Sequence, residues 1–364
     1  MFKIIKKSKI SQARLGKIVT KRGALLTPFF MPIATRGTVK NLSPQDLEDL
    51  NTEIILSNTY HLFLKPGLKV IKHSGGLNNF IGWNKPILTD SGGYQVFSLA
   101  RKRKIKENGV EFQSEINGER IFLTPEKAIK IQRIIDSDLM MVLDECLGYP
   151  TDYKKAAVSV RRTTKWAIKS QKEYLKKKNN QLLFGIVQGS IYLDLRIKSA
   201  QDLVRQNFDG YAIGGIFLGE PIRKSYAIIK KTAEILPFKK PRYLMGAGKP
   251  EQILKAVKLG VDMFDCVIPT RNARHGLLYT NLSLNNSKLS YKKVHITNAK
   301  YKNNISPLDK KCNCYTCRNF SQSYLRHLFI VNENFGQRLA TIHNLAFYFN
   351  LIREIRNQIK IGKL

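Results

Sequence analysis

The chain is short of acid. Asp and Glu together number 27 against 62 Lys plus Arg, a formal net charge of +35 and an isoelectric point near 10.0. Such a field attracts polyanions, so nucleic acid is the first partner to consider, although a Lys/Asn/Ile-rich composition also accumulates on solvated faces. Cysteine is scarce too: five in 364 residues exclude a disulfide scaffold, and three of the five crowd into Cys312, Cys314 and Cys317, which points to metal. No apolar run reaches the roughly 18 residues a membrane span needs. The N-terminal Lys3, Lys6, Lys7 and Lys9 have no continuous apolar segment behind them, so the start does not read as a secretory signal and a cytoplasmic protein is expected.

What is present is ordinary globular material, with 43% apolar and 24% charged residues. The length suits one large or two ordinary domains. Eight short β-rich runs stand at 25–33, 53–57, 86–89, 138–143, 182–187, 210–213, 242–245 and 263–268. Segments with helical spacing separate most of them: 43–50, 124–135, 152–177, 192–206, 221–236 and 250–259. Ser43-Pro44 and Thr124-Pro125 read as N-caps followed by proline at the first helical position. Strand–helix alternation implies an α/β protein with a parallel sheet, and eight units fit a closed (β/α)8 TIM barrel; an open doubly wound sheet is the competing fold.

The position of the reactive side chains favours the barrel. Asp90, Asp144, Gln188, Gly214-Gly215 and Gly246 each follow a run, and Asp265 lies near the end of the last. A barrel converges such positions on one face, whereas an open sheet scatters them. Taken alone, each has a plain structural reading: a cap, an ion pair of Asp265 with Arg271 and Arg274, or a core aromatic at Tyr94. Beyond Gly276 the alternation gives way to a polar stretch, 281–304, then the cysteines, then helical spacing from Ser321. We therefore divide the chain into a catalytic barrel, 1–275, and an appended zinc-binding subdomain with C-terminal helices packing on the barrel, 276–364. Three thiolates and the imidazole of His343 suit a closed tetrahedral Zn²⁺ site of the structural kind; His327 is a second choice for the fourth ligand by spacing.

The segments LTDSGGYQVFSL (88–99), DEC with YP (144–150), FGIVQG (184–189), YAIGG (211–215), YLMGAGKP (243–250), FDCVIPTRNARHG (264–276) and CNCYTC (312–317) with His343 carry a family resemblance. In this order, over nearly the whole chain, they resemble the tRNA-guanine transglycosylases, also called queuine tRNA-ribosyltransferases. Gly189 is followed by Ser190 where many members have a second glycine.

The resemblance implies a TIM barrel with a structural zinc, one per subunit, and a base exchange. Guanine at the wobble position of GUN anticodons (the Asp, Asn, His and Tyr tRNAs) is replaced by a 7-deazaguanine in queuosine modification. It implies Asp265 as nucleophile and Asp90 as acid/base. Ser91, Asp144, Gln188, Gly214, Gly215 and Gly246 would bind the base, with Tyr94 and Met245 on its faces, the nucleotide being flipped from its stack. Lys249, Arg271 and Arg274 would hold RNA. By analogy with bacterial members, Cys146 and Leu218 leave room for 7-aminomethyl-7-deazaguanine rather than queuine. A homodimer in the cytoplasm is expected. The rival expectation, a non-catalytic tRNA-binding subunit, has no use for both Asp90 and Asp265, and a zinc-ribbon binder would leave the strand-end motifs idle.

Overall fold

The structure, a computed structural model, describes residues 2–99 and 103–364; the side chains of Ser98 and Leu99, which end the 88–99 motif, lie outside the description. Each of the eight expected runs contains one strand of an eight-stranded parallel sheet. In chain order these are Phe29–Met31, Ile55–Ser57, Ile87–Thr89, Leu139–Met141, Leu182–Val187, Gly210–Ile213, Arg242–Leu244 and Met263–Asp265. The first pairs with the eighth and the sheet runs back through to the second. Ile33 then bridges Leu56 in parallel, and Leu56 donates to Pro32 O at 3.0 Å, which closes the barrel. Seven of the strands are buried at every residue, as expected where interior side chains and outer helices cover both faces.

The helices start where their caps predict. Thr124 Oγ1 accepts from Lys127 N at 3.1 Å ahead of Pro125–Ile135, and Ser43 with Asp46 forms a capping box ahead of Pro44–Asp49. Two expectations need correction. The 25–33 run is not one strand: Gly23–Thr27 belongs to an antiparallel sheet with Phe2–Lys7 and Arg14–Thr20, and Pro28, lacking an N–H, separates it from the barrel strand. The polar 281–304 stretch, to which the sequence reading assigns no element, holds most of a hairpin formed by Leu277–Asn285 and Lys288–His295.

The N-terminal sheet covers the barrel end from which the strands start. Arg14 donates to both carboxylate oxygens of Asp262, just before the eighth strand, and Arg22 Nη1 reaches Asp138 Oδ2 at 3.0 Å, just before the fourth. The opposite mouth, at the strands' C-terminal ends, is therefore the one left for a site. The 27-residue helix Asn334–Lys360 rivets the C-terminal part to the barrel. Asn344 Nδ2 donates to Pro269 O and Leu277 O at 3.0 Å each, Tyr348 OH to Gly248 O at 2.5 Å, and Arg356 Nη1 pairs with Glu53 at 2.7 Å. A single apolar cluster runs from Ala13 through the barrel to Leu364, so this region shares the barrel's core.

Candidate active site and metal centre

Asp90 leaves the third strand with its carboxylate fully engaged. Oδ1 accepts from Thr59 N at 2.9 Å and Gly92 N at 3.1 Å, and Oδ2 accepts from Asn58 Nδ2 at 2.5 Å. Asn58 and Thr59 follow the second strand, so two neighbouring strand ends build this holder. Burial outweighs those donors and pushes the Asp90 carboxyl up to about 6. A group so placed gives and takes a proton near neutral pH, which suits an acid/base.

Asp144 leaves the fourth strand, Gln188 the fifth and Gly214-Gly215 the sixth. Gln188 Nε2 donates to Asp144 Oδ2 at 2.7 Å, and Ser91 Oγ lies 3.5 Å from Oδ1. Burial, then the charge of nearby Asp90, raises the Asp144 carboxyl to about 6, against the Gln188 hydrogen bond that lowers it. Two glycines make room. A Cβ on Gly93 would stand 2.8 Å from Asp144 O; one on Gly215, where φ is +64°, would stand 2.4 Å from Gln188 Oε1. The Cys146 thiol sits beside Gly215, and burial pushes it up to about 12, so it stays protonated and is no nucleophile.

Asp265 ends the eighth strand. Its Oδ1 accepts from Tyr243 OH at 2.5 Å, off the seventh strand, and from Gly246 N at 2.9 Å. No donor among the described residues reaches Oδ2. Burial raises the carboxyl above its ordinary range while these two bonds pull it back. One oxygen is thus held and the other is left for a reacting atom. The ion pair with Arg271 and Arg274 does not form. Arg271 and Lys249 are exposed, Arg274 is half-buried with Nη1 buried and unpartnered, and no carboxylate among the described residues bridges to any of the three. Tyr94 is 51% exposed, which rules out the core reading, and Met245 is partly buried.

The metal centre lies in the C-terminal region. One ligand atom from each of Cys312, Cys314, Cys317 and His343 falls within 4.8 Å of the others. His343 Nδ1 is 3.7 Å from Cys314 Sγ and 3.3 Å from Cys317 Sγ. A tetrahedral Zn²⁺ with ordinary bond lengths needs S···N separations of about 3.6 Å. His343 Nε2 meets Tyr279 O at 2.7 Å, which fixes the ring with Nδ1 toward the sulfurs. Neighbouring Cys312 and Cys317 hydrogen-bond the Cys314 sulfur and hold its thiol below the ordinary thiol range, the direction that favours a metal-ligating thiolate. These residues can hold a metal ion, and zinc is compatible with them. His327 stacks on Tyr324 and is not a member of the cluster.

Sequence reasoning missed Asn58 and Tyr243, which hold the two carboxylates, and Arg196 and Glu220, which hold the loop after the sixth strand. Asn58 stands directly after a strand, the signal that marked Asp90; the others leave none. Over residues 9–364 the chain matches the family described as queuine tRNA-ribosyltransferase. It is 50% identical over 366 residues to the queuine tRNA-ribosyltransferase of Dictyoglomus turgidum, covering 100% of this chain and 92% of that one. The Aquifex aeolicus protein of the same name is 50% identical over 372 residues (99% and 95%), and that of Listeria monocytogenes 48% over 363 (100% and 93%). The chain belongs to the queuine tRNA-ribosyltransferase family, the tRNA-guanine pentosyltransferases of queuosine modification.

Proposed function

We propose that the protein replaces guanine at the wobble position of GUN anticodons, in the Asp, Asn, His and Tyr tRNAs, with 7-aminomethyl-7-deazaguanine, through a covalent ribosyl–enzyme. In the first displacement Asp265 Oδ2 attacks C1′ of the flipped nucleotide, the bond from C1′ to N9 breaks, and the departing guanine takes the Asp90 proton. In the second, the incoming base gives its N9 proton back to Asp90, N9 attacks C1′, and the Asp265 carboxylate is released. Proton and charge balance over the cycle, and two inversions give net retention at C1′. The observation that carries the reading is the contrast between the two acids: Asp90 has donors on both oxygens and a pKa of about 6, while Asp265 has one oxygen free.

Guanine offers N–H donors and a carbonyl acceptor on its Watson–Crick edge. Asp144 supplies an acceptor, and the Gly215 amide and Gln188 supply donors. Gly214 and Ser91 shape the pocket, Gly246 holds Asp265, and Tyr94 and Met245 flank the base. Lys249 and Arg271 present exposed cationic donors suited to anticodon phosphates, and half-buried Arg274, one helical turn from Arg271, adds its positive charge behind them. Zinc on Cys312, Cys314, Cys317 and His343 would cross-link the 276–364 region and supply no chemistry to the exchange. Exposed Tyr315 and Tyr324 both pack on Phe320, next to the Cys312–Cys317 segment, and offer apolar surface suited to a second copy, which supports a homodimer. No described helix is long and apolar enough to cross a membrane, and we place the enzyme in the cytoplasm. The test is to charge tRNA with labelled guanine at the wobble position and add the deazaguanine. Release of label with an intact chain is expected; retained label would refute the exchange.

A further inference from the structure

Arg196 lies in the helix Leu193–Val204, 0% exposed, with no carboxylate in contact among the described residues. A guanidinium cannot shed its proton cheaply, so a buried one must be satisfied by acceptors. Four backbone carbonyls do this. Nη1 donates to Val187 O at 3.0 Å and Gly214 O at 2.7 Å, Nη2 to Gly215 O at 2.9 Å, and Nε to Ser190 O at 2.9 Å. The planar fork thereby ties the chain leaving the fifth strand to the chain leaving the sixth.

A planar trans peptide points its C=O and the following N–H in opposite directions. Drawing the Gly214 and Gly215 carbonyls onto Arg196 therefore turns the amides of Gly215 and Ile216 away from it. The left-handed φ of +64° at Gly215 lets successive carbonyls converge on one cation. Neither amide finds an acceptor among the described residues, although Gly215 abuts Gln188 and Cys146 in the pocket. We propose that Arg196 is a positioning residue: by holding these carbonyls it aims the Gly215 amide at the carbonyl oxygen of the base and keeps that donor free of competing acceptors. This rests on the reading of the pocket as a guanine site, and adds to it the residue that sets its donor direction.

Two lysine substitutions separate positioning from mere stability. Arg196→Lys keeps the cation and much of the volume, but three donors on one nitrogen cannot span four carbonyls. Arg14→Lys is the control: Arg14 is 1% exposed and bonds Asp262 at the far end of the barrel. For Arg196→Lys the KM for guanine should rise about three- to tenfold, the equivalent of one hydrogen bond, with the KM for tRNA unchanged. Inhibition by 2-aminopurine, which lacks the carbonyl, should change by less than about twofold on the same reasoning. Arg14→Lys should lower the melting temperature and leave the guanine-to-2-aminopurine ratio alone. Equal weakening of both bases, the same split in Arg14→Lys, or an Arg196→Lys protein that does not fold would each make Arg196 a framework residue and overturn the proposal. Failure of the wild-type enzyme to exchange guanine would instead overturn the reading of function, and calorimetric binding of guanine and 2-aminopurine to the two variants would still decide the role of Arg196.

Discussion

Asp90→Asn should make the protein more stable at neutral pH while crippling it. Moving an aspartate from 3.8 to about 6 means that the native fold binds its proton more tightly than the unfolded chain does, by about 3 kcal/mol. The sign follows from the direction of the shift. Between about pH 4 and pH 6 the native state holds a proton that the unfolded state has released, so stability falls as pH rises through that window and the full cost is carried above it. A carboxamide in place of the Asp90 carboxyl never ionises and avoids the cost. Its oxygen can keep the bonds from Thr59 and Gly92, and Asn58 can turn its own amide to accept from the new NH₂, so about 1 kcal/mol is given back. A net gain of about 2 kcal/mol, set against an unfolding entropy of about 0.8 kcal/mol/K for a chain this long, raises the melting temperature by about 2–4 °C. Calorimetry of both proteins at pH 7.5 and pH 4.5 tests this. The variant should melt higher at pH 7.5, the difference should vanish at pH 4.5, and exchange should fall by about 10²–10⁴. A variant that melts lower by the same margin at both values would refute the burial argument.

Metal analysis should find about one zinc per chain, and a Cys317→Ser protein or a chelated one should melt lower, because binding to a site absent from the unfolded chain is folding free energy; an unchanged melt in metal-free protein would contradict a structural role. Affinity for tRNA should fall by orders of magnitude between roughly 50 and 200 mM salt while free base binding does not, and a flat tRNA response would reduce the +35 charge to compositional drift. Gly215→Ala puts a Cβ 2.4 Å from Gln188 Oε1 at a left-handed φ, so the KM for the base should rise by at least about tenfold with tRNA binding intact; unchanged base kinetics would remove this loop from the pocket.

The barrel was legible because buried parallel strands are short continuous apolar runs and because Ser43 and Thr124 announce their helices. Asp90, Asp144, Gln188 and Asp265 were legible by position, each at the end of such a run. The first strand was not separable from the N-terminal sheet, since apolar residues continue across Pro28 and only the proline marks the change. The 277–295 hairpin escaped because its second strand is exposed at most positions, so Lys, Asn and Ser blur the alternation that reveals a half-buried strand. Tyr243 and Arg196 were invisible for another reason. Their partners, Asp265 and the carbonyls after the fifth and sixth strands, become neighbours only through strand pairing, which no local pattern encodes.

The central claim is that Asp265 attacks the ribose through its free oxygen. Wild-type protein, Asp90→Asn and Asp265→Asn mixed with tRNA and a slow-reacting base analogue, then run on a denaturing gel, test it most directly. The account predicts a denaturant-resistant protein–RNA band in the wild type that disappears with Asp265→Asn, although that variant still binds tRNA under native conditions. An equal band in Asp265→Asn would contradict it and move the nucleophile elsewhere.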